Sequence, residues 1–543
     1  MLTDQSPFHA GERAAQARVG ITGLAQRVAG FVRPFMPEQH RAFFAAQPFL
    51  VLAGADAEGQ HWVTLLDGPE GFITSPDPTS LAIAARPDPQ DPLAETLGRG
   101  ADIGVLGIEL ATRRRNRMSG RMRQSATGFE IEVRQSYGNC PQYIHERRWH
   151  RTAPRPAPRA RAAQALSPAQ TARIRAADTL FLGTGQAGVA GAASDGFDAS
   201  HRGGAPGFVE VLDPTHLRIP DYAGNNFFNT IGNLLENPAI GLVFVDFETG
   251  GLLHLTGRAR IDWDARGSDD PGAQRLIDVE VTGVLDRPEA LSLRWHKDDA
   301  DLRSLVVLDK RPETAEITSL YLADPQGAPL PQFEAGQYLP VELDIPGHRG
   351  AALRSYSLSG APGAGHYRLS IKREARGLAS RHVHDSLRIG DRIKARRPAG
   401  DFTAPAGTDP LVLVSAGVGL TPMLSLLHAA ALAQTDRPLW YVHGARDGAH
   451  HAMKDEVAGL SARLPGLRTR TFYSQPRGSD RLGTDYDQKG RVTAQALRDL
   501  RAGPAAHYML CGPAAFVSEI RAGLEATGTS PAHIHAETFG PTA

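Results

Sequence analysis

Cysteine is nearly absent: the 543 residues hold only Cys140 and Cys511. Two thiols cannot furnish a four-cysteine iron–sulfur cluster or an all-cysteine zinc site, no metal-ligating cluster is read elsewhere, and at most one disulfide could form. Net charge is missing too, since 59 Lys plus Arg balance 59 Asp plus Glu. No global field draws the chain to nucleic acid or to an anionic membrane, so a charged ligand must be caught by a local cluster. Met1 to Gly20 lacks a basic start followed by an apolar run, so no secretory signal is read and a cytoplasmic location is the expectation. Leu411 to Ala433 is the longest uncharged apolar stretch and has the length to span a bilayer. Ser415, Gly417, Gly419, Thr421, Pro422 and His428 interrupt it, so it reads as a buried strand, a glycine turn and a helix, with no membrane as partner.

Glycine and proline are plentiful, at 57 and 39 residues, and 41% of the chain is hydrophobic. That is too apolar for a disordered chain and implies short strands with many turns. At roughly 150 residues per domain, the length predicts three or four domains.

The first half contains a repeat. Gly71-Phe72-Ile73 answers to Gly207-Phe208-Val209, and Asp77 to Ile83 (DPTSLAI) answers to Asp213 to Ile219 (DPTHLRI), about 136 residues on. After a slip of one, Ile103 to Leu110 matches Ile240 to Phe247, and Ser119 to Arg123 matches Thr256 to Arg260. Each copy reads as short apolar strands separated by Gly, Pro and Asp turns at barrel-like spacing. Between the copies, Arg151 to Ala163 is rich in Pro, Ala and Arg without an apolar period, which predicts an exposed tether.

The second copy carries DASHRGGAPGFVEV, then IPDYAGNNFFNTIGNLLENPAIGLVFVDF and LTGRARI. These segments resemble the pyridoxamine 5′-phosphate oxidase-like split-barrel family. The resemblance implies two barrels paired within one chain and FMN at their interface, although the same barrel elsewhere serves deazaflavin binding, haem handling and non-catalytic roles. A flavin phosphate needs cations and amide or hydroxyl donors, and the candidates are His201, Arg202, Asn225, Asn229, Thr230 and Asn233. The first copy adds Arg113-Arg114-Arg115-Asn116-Arg117. On a strand Arg113, Arg115 and Arg117 share one face, which suits either a bound phosphate or a charged edge that resists aggregation. The patch lacks aromatic interleaving, so nucleic acid is not expected.

From about residue 300 another barrel-like pattern begins. It contains Arg354-Ser355-Tyr356-Ser357, then Leu369-Ser370-Ile371-Lys372, Gly377-Leu378-Ala379-Ser380 and Pro398-Ala399-Gly400-Asp401-Phe402. LVLVSAGVGLTPML (Leu411 to Leu424) and YMLCGPAAF (Tyr508 to Phe516) follow. This ordered set resembles the ferredoxin–NADP reductase superfamily, in its flavohaemoglobin and oxygenase-reductase branch. Arg354 offers a permanent planar cation to a flavin diphosphate, Tyr356 a ring, and Ser357 a hydroxyl for the ring's polar edge. Ile371, Lys372, Gly377 and Ser380 complete the candidate FAD site, the last two at a helix start. Gly417, Gly419, Thr421 and Pro422 form a glycine turn leading into a helix, where a nicotinamide nucleotide's diphosphate would sit, with Cys511, Gly512 and Pro513 at a neighbouring strand end.

The resemblance implies that Cys511 lies beside the nicotinamide and that His535-Ala536-Glu537-Thr538-Phe539 approaches the flavin, with Ser357, Cys511 and Glu537 as the catalytic candidates. It also places discrimination of NADH from NADPH at His443 to Arg446 and Tyr473 to Arg477. Both nucleotides stay open, with the order of these segments favouring NADH.

The expected architecture is multidomain: a β split-barrel pair, an FAD-binding antiparallel β-barrel, and an α/β parallel-sheet nucleotide-binding domain. The boundaries are 1–150 and 167–297 for the two copies, 151–166 for the linker, 298–403 for the FAD barrel and 404–543 for the nucleotide domain. The expected function is an NAD(P)H-dependent FAD oxidoreductase passing hydride to FAD and on to FMN or a small substrate in the split-barrel half. The other reading is a reductase component serving a separate redox partner protein docked by the N-terminal half; in both, the terminal electron acceptor is unidentified.

Overall fold

A computed structural model describes residues 6–538 apart from 22, 26–30, 140–141, 154–157, 187–193, 271, 298–301, 349 and 376. Cys140 and Phe539 lie outside the described residues. The chain divides near residue 298 into two compact units, one of residues 1–298 with 347–350 and one of 299–346 with 351–542.

In the first unit, strands β1 (Phe49–Ala55), β2 (His61–Asp67), β3 (Ile73–Thr74), β4 (Ser80–Ile83), β5 (Asp102–Glu109), β6 (Arg114–Gln124) and β7 (Phe129–Asn139) form a sheet of order β2-β1-β5-β6-β7-β4-β3. After β8 (Arg148–Arg151) and β9 (Arg161–Ala163) come β10 (Thr179–Gln186), β11 (Gly196–Gly203), β12 (Glu210–Asp213), β13 (His216–Tyr222), β14 (Ala239–Val245), β15 (Leu252–Asp262) and β16 (Ala273–Arg287). Their order, β11-β10-β14-β15-β16-β13-β12, repeats the first path position for position. One apolar cluster draws on both sheets, with Phe49, Val51 and Leu65 against Phe181, Val243 and Leu252, so the two copies share a core. Trp295 of β17 (Leu293–His296) packs edge-on to Phe49 and Phe247 in that cluster.

Two sequence expectations change here. The 151–166 stretch is not a free tether at its ends: β8 pairs with β17, and β9 adds to β16 through Ala163 opposite Val284. These pairings are made by backbone groups and leave the β9 side chains exposed, so no apolar period marks them. Arg113 does not share a strand face with Arg115 and Arg117. It sits in the turn before β6 at φ 57, the left-handed region, and its guanidinium pairs with Glu146 at 3.3 Å.

The N-terminal helix Ala10–Arg18 opens with a capping box, in which His9 accepts from Gly11 N–H while Glu12 Oε2 accepts from His9 N–H at 2.9 Å. It packs on helix Asn229–Glu236 of the second copy where glycines meet. A Cβ on Gly11 would lie 2.2 Å from the Gly232 carbonyl oxygen, and one on Gly232 would lie 2.5 Å from the Glu12 nitrogen.

In the second unit, β18 (Arg303–Pro312), β19 (Ile317–Ala323), β20 (Tyr338–Leu343), β21 (Ala352–Ser357), β22 (Tyr367–Lys372) and β23 (Arg392–Ala395) form a curled antiparallel sheet of order β21-β20-β23-β18-β19-β22. A bridge between Leu358 and Leu369 draws its two edges together. Next, β24 (Leu411–Ala416), β25 (Leu439–Ala445), β26 (Leu467–Tyr473), β27 (Gln488–Lys489), β28 (His507–Gly512) and β29 (Ile534–Thr538) form a wholly parallel sheet, β27-β26-β25-β24-β28-β29. The order reverses at β24, which puts a ligand crevice beyond the carboxyl ends of β24 and β28. Leu411 to Leu432 is a strand, a short turn and a helix; among the described residues no helix is long and apolar enough to cross a membrane.

Candidate active site

The glycine turn stands at that crevice. Gly417 has φ 55, and a Cβ on Gly419 would lie 2.2 Å from the Cys511 carbonyl oxygen, so the turn passes against the end of β28 only because no side chain is there. Helix Leu420–Leu432 begins immediately. Thr421 Oγ1 donates to the Val418 carbonyl at 3.1 Å, Pro422 sits in the first turn, and no side chain caps the leading N–H groups. Those groups face the crevice as donors for a diphosphate. Gly512 and Pro513 follow the end of β28, with Pro513 capping the start of helix Ala514–Glu525.

Cys511 is fully buried on β28, opposite Ser415 on one side and Glu537 of β29 on the other. Burial, reinforced by the Glu537 carboxylate, pushes its thiol well above the ordinary range. Glu537 is itself raised, to about 8, first by burial, and the Ser357 hydroxyl works in the opposite direction. No hydrogen bond closes between them: Ser357 Oγ, Ser355 Oγ and Glu537 Oε2 are all buried polar atoms without a partner in the protein. A row of unpartnered hydroxyls and a carboxylic acid beside a nucleotide crevice fits the hydrogen-bonding edge of a flavin ring.

Along β21, Arg354 is part-buried and donates to the Leu353 carbonyl, while Tyr356 packs against the core of the antiparallel sheet and its hydroxyl is raised by burial. Lys372 ends β22 near Glu316 and Glu374, at 3.9 and 3.6 Å. Two candidates are placed otherwise than expected. The Ile371 side chain lies in the core and its carbonyl accepts from His384 Nε2, because strand alternation turns this residue inward. Ser380 turns back on its own loop, accepting from Glu374 N–H and donating to the Gly377 carbonyl, which locks the loop and leaves only backbone N–H groups for a ligand. Gly377 is the N-cap of helix Leu378–Asp385.

In the first unit, a cavity of about 100 Å³ opens between the two copies. Arg115 and Arg117 of β6 and His201 and Arg202 of β11 line it, together with Asn225, Asn229 and Thr230. Asn233 does not: its amide nitrogen donates to Thr184 and Asp198, at 3.1 and 2.9 Å. Asn229 links Arg117, which donates to its oxygen at 3.1 Å, to Glu12, which accepts from its nitrogen at 2.6 Å. Burial, and after it Asp198, raise the Glu12 carboxyl well above its ordinary value, against the hydrogen bonds from His9 N–H and Asn229.

Sequence reading missed Glu12 and a second cluster. Glu456 accepts from both Arg368 nitrogens at 2.8 Å and lies 2.5 Å from His428 Nε2, tying β22 to the helices of the parallel sheet. These hydrogen bonds draw the Glu456 carboxyl down to about 2, against the effect of burial. The partners lie 28 and 88 positions apart, and no motif spacing marks them.

Residues 306–404 match the oxidoreductase FAD-binding domain and residues 413–522 the oxidoreductase NAD-binding domain. A flavohemoprotein of Deinococcus radiodurans is 39% identical over 242 residues, covering 45% of this chain and 60% of that protein. One of Bordetella pertussis is 42% identical over 243 residues, covering 44% and 60%. The chain thus spans about 60% of the length of these relatives. Among solved structures, the FAD/NAD-binding domain of nitric oxide dioxygenase from Vibrio cholerae is 32% identical with a TM-score of 0.40, covering 44% of this chain and 99% of that one. The C-terminal half is an FAD- and NAD(P)H-binding oxidoreductase module of the ferredoxin reductase type.

Proposed function

We propose that this protein takes hydride from NAD(P)H onto FAD in its C-terminal half and passes the reducing equivalents to FMN, or to a small phosphate-bearing substrate, in the N-terminal half. The observation that carries the first part is the meeting of the Gly417–Gly419 turn, Cys511 and Glu537 at the reversal point of the parallel sheet, with the Ser357 hydroxyl facing Glu537. Bound FAD supplies the hydride-accepting chemistry. The chain's own residues orient and tune. The glycine turn holds the nucleotide's diphosphate, Arg354 offers charge to the flavin's, and the neutral Cys511 thiol packs without charge beside the transfer path. At neutral pH Glu537 keeps its proton and offers it as a donor at the ring edge.

For the N-terminal half, support comes from the repeat, the paired sheets and the donor-lined cavity. A volume of about 100 Å³ takes a phosphate head, so the ring system of FMN would lie outside it. The test is anaerobic titration of the FAD-loaded chain with NADH and NADPH, with and without added FMN. The reading requires FAD to bleach with one equivalent and added FMN to draw a second. FMN that neither binds nor changes the end point would reject the relay and leave delivery to an external acceptor.

A further inference from the structure

The two sheets share one strand order, so whatever site one copy makes with the other, the pseudo-symmetry generates twice. Strand register fixes which residues correspond. Leu106 stands opposite Arg117 in the first copy as Val243 stands opposite His254 in the second, and Ile108 opposite Arg115 as Val245 opposite Leu252. Val51 pairs with both Leu106 and Leu65, as Phe181 pairs with both Val243 and His201, so His201 corresponds to Leu65 and its neighbour Arg202 to Leu66.

The consequence is a strongly unequal pair. At the open cavity the four positions are Arg115, Arg117, His201 and Arg202; at its counterpart they are Leu252, His254, Leu65 and Leu66. The counterpart is solid core: Leu252 and Leu65 belong to the shared apolar cluster, and the buried His254 spends Nδ1 on the Val63 carbonyl at 2.8 Å. Beside them Arg287 pairs with Asp91, which also accepts from Thr64. The counterpart's charge is thus balanced within the protein.

At the open cavity the described lining is mainly cationic. Among the described lining residues stand four arginines and one carboxylate, Asp221, which Arg202 and Arg275 share at 3.1 and 3.0 Å. His201 is 3% exposed and Arg117 8%. The Arg115 guanidinium donates to His201 Nδ1 at 3.1 Å, which leaves Nε2 carrying the hydrogen. His201 Nε2, Arg117 Nε and Arg202 Nε are buried with no partner in the protein, and all three are donors. Buried cations and donors left without acceptors are costly unless an anion meets them.

The geometry points to a single ligand site per chain in the N-terminal pair: a phosphate-bearing anion held by Arg117, His201 and Arg202, its symmetry-related counterpart closed by leucines and the Asp91–Arg287 pair. This deepens, and rests on, the reading of the N-terminal cavity as a ligand site. It does not require that the ligand be FMN.

Calorimetry of the full chain, loaded with FAD and saturated with NAD+ to occupy the other phosphate sites, tests it with inorganic phosphate as the probe. One phosphate per chain is expected, weakened at least tenfold in Arg117→Ala and in His201→Leu and partly restored in Arg117→Lys, with unchanged melting temperature as the control for folding. Two phosphates per chain, no phosphate, or one whose affinity ignores these substitutions would overturn the inference. If phosphate binds as expected while FMN does not bind, the site stands and the FMN relay falls. If FMN binds one per chain and Arg117→Ala leaves it unaffected, the relay stands and this site assignment falls.

Discussion

At the scale of single residues, Glu537 decides how the C-terminal site responds to pH. Its carboxyl is raised from 4.5 to about 8, so the fold favours the protonated form: that contribution to stability is complete below about 4.5 and is lost as pH rises through 8. The rate of flavin reduction by NAD(P)H is therefore expected to fall with an inflection near pH 8. Glu537→Gln keeps the hydrogen-bonding shape without the titration, and its profile should be flat there in single-turnover measurements; an inflection that persists would assign the titration to another group. Cys511 carries the opposite expectation from that of a reactive thiol. Burial holds it protonated, so a thiolate-directed alkylating reagent at pH 8 should leave it unlabelled until the protein unfolds. Rapid labelling of the folded chain at Cys511 would contradict its placement.

At the scale of elements, close approaches and one ion-pair cluster carry the expectations. Gly232→Ala would put a methyl group 2.5 Å from the Glu12 nitrogen, and overpacking of this kind costs about 1–3 kcal/mol. The melting temperature should fall, and phosphate or FMN affinity with it, because Asn229 on the same helix joins Glu12 to Arg117. Glu456→Gln strips the charge from a carboxylate that a largely buried Arg368 depends on, and breaking such a pair costs about 3 kcal/mol. Its carboxyl is depressed from 4.5 to about 2, so this contribution is present above about 4.5 and lost as pH falls towards 2. Acid denaturation of the wild type and the variant should converge at low pH and diverge above 4.5.

These elements also show what the sequence could and could not disclose. The strand, glycine turn and helix of Leu411 to Leu432 were legible because apolar run, glycine pair and Pro422 all point one way. The repeat was legible because the same turns recur at one offset, and strand order bears it out. Arg113 was misread because alternation along a strand says nothing of the residue that closes the turn before it. The linker was misread because β8 and β9 are held by backbone pairing and not by an apolar face. Glu12 and Glu456 left no trace, since their partners are assembled only by packing.

At the scale of the whole molecule, the chain joins an FAD- and NAD(P)H-binding oxidoreductase module to a duplicated β structure whose described residues line a cation-rich cavity. Under the proposed function, electrons from the nicotinamide are expected to end at a ligand held by the chain's own N-terminal half. Denaturing release of non-covalent cofactors from the purified full chain, with FAD and FMN separated and quantified per chain after reconstitution with both, tests it most directly. One FAD and one FMN per chain are expected, the FMN being lost in Arg117→Ala while the FAD stays. FAD alone, with FMN never retained, would contradict it.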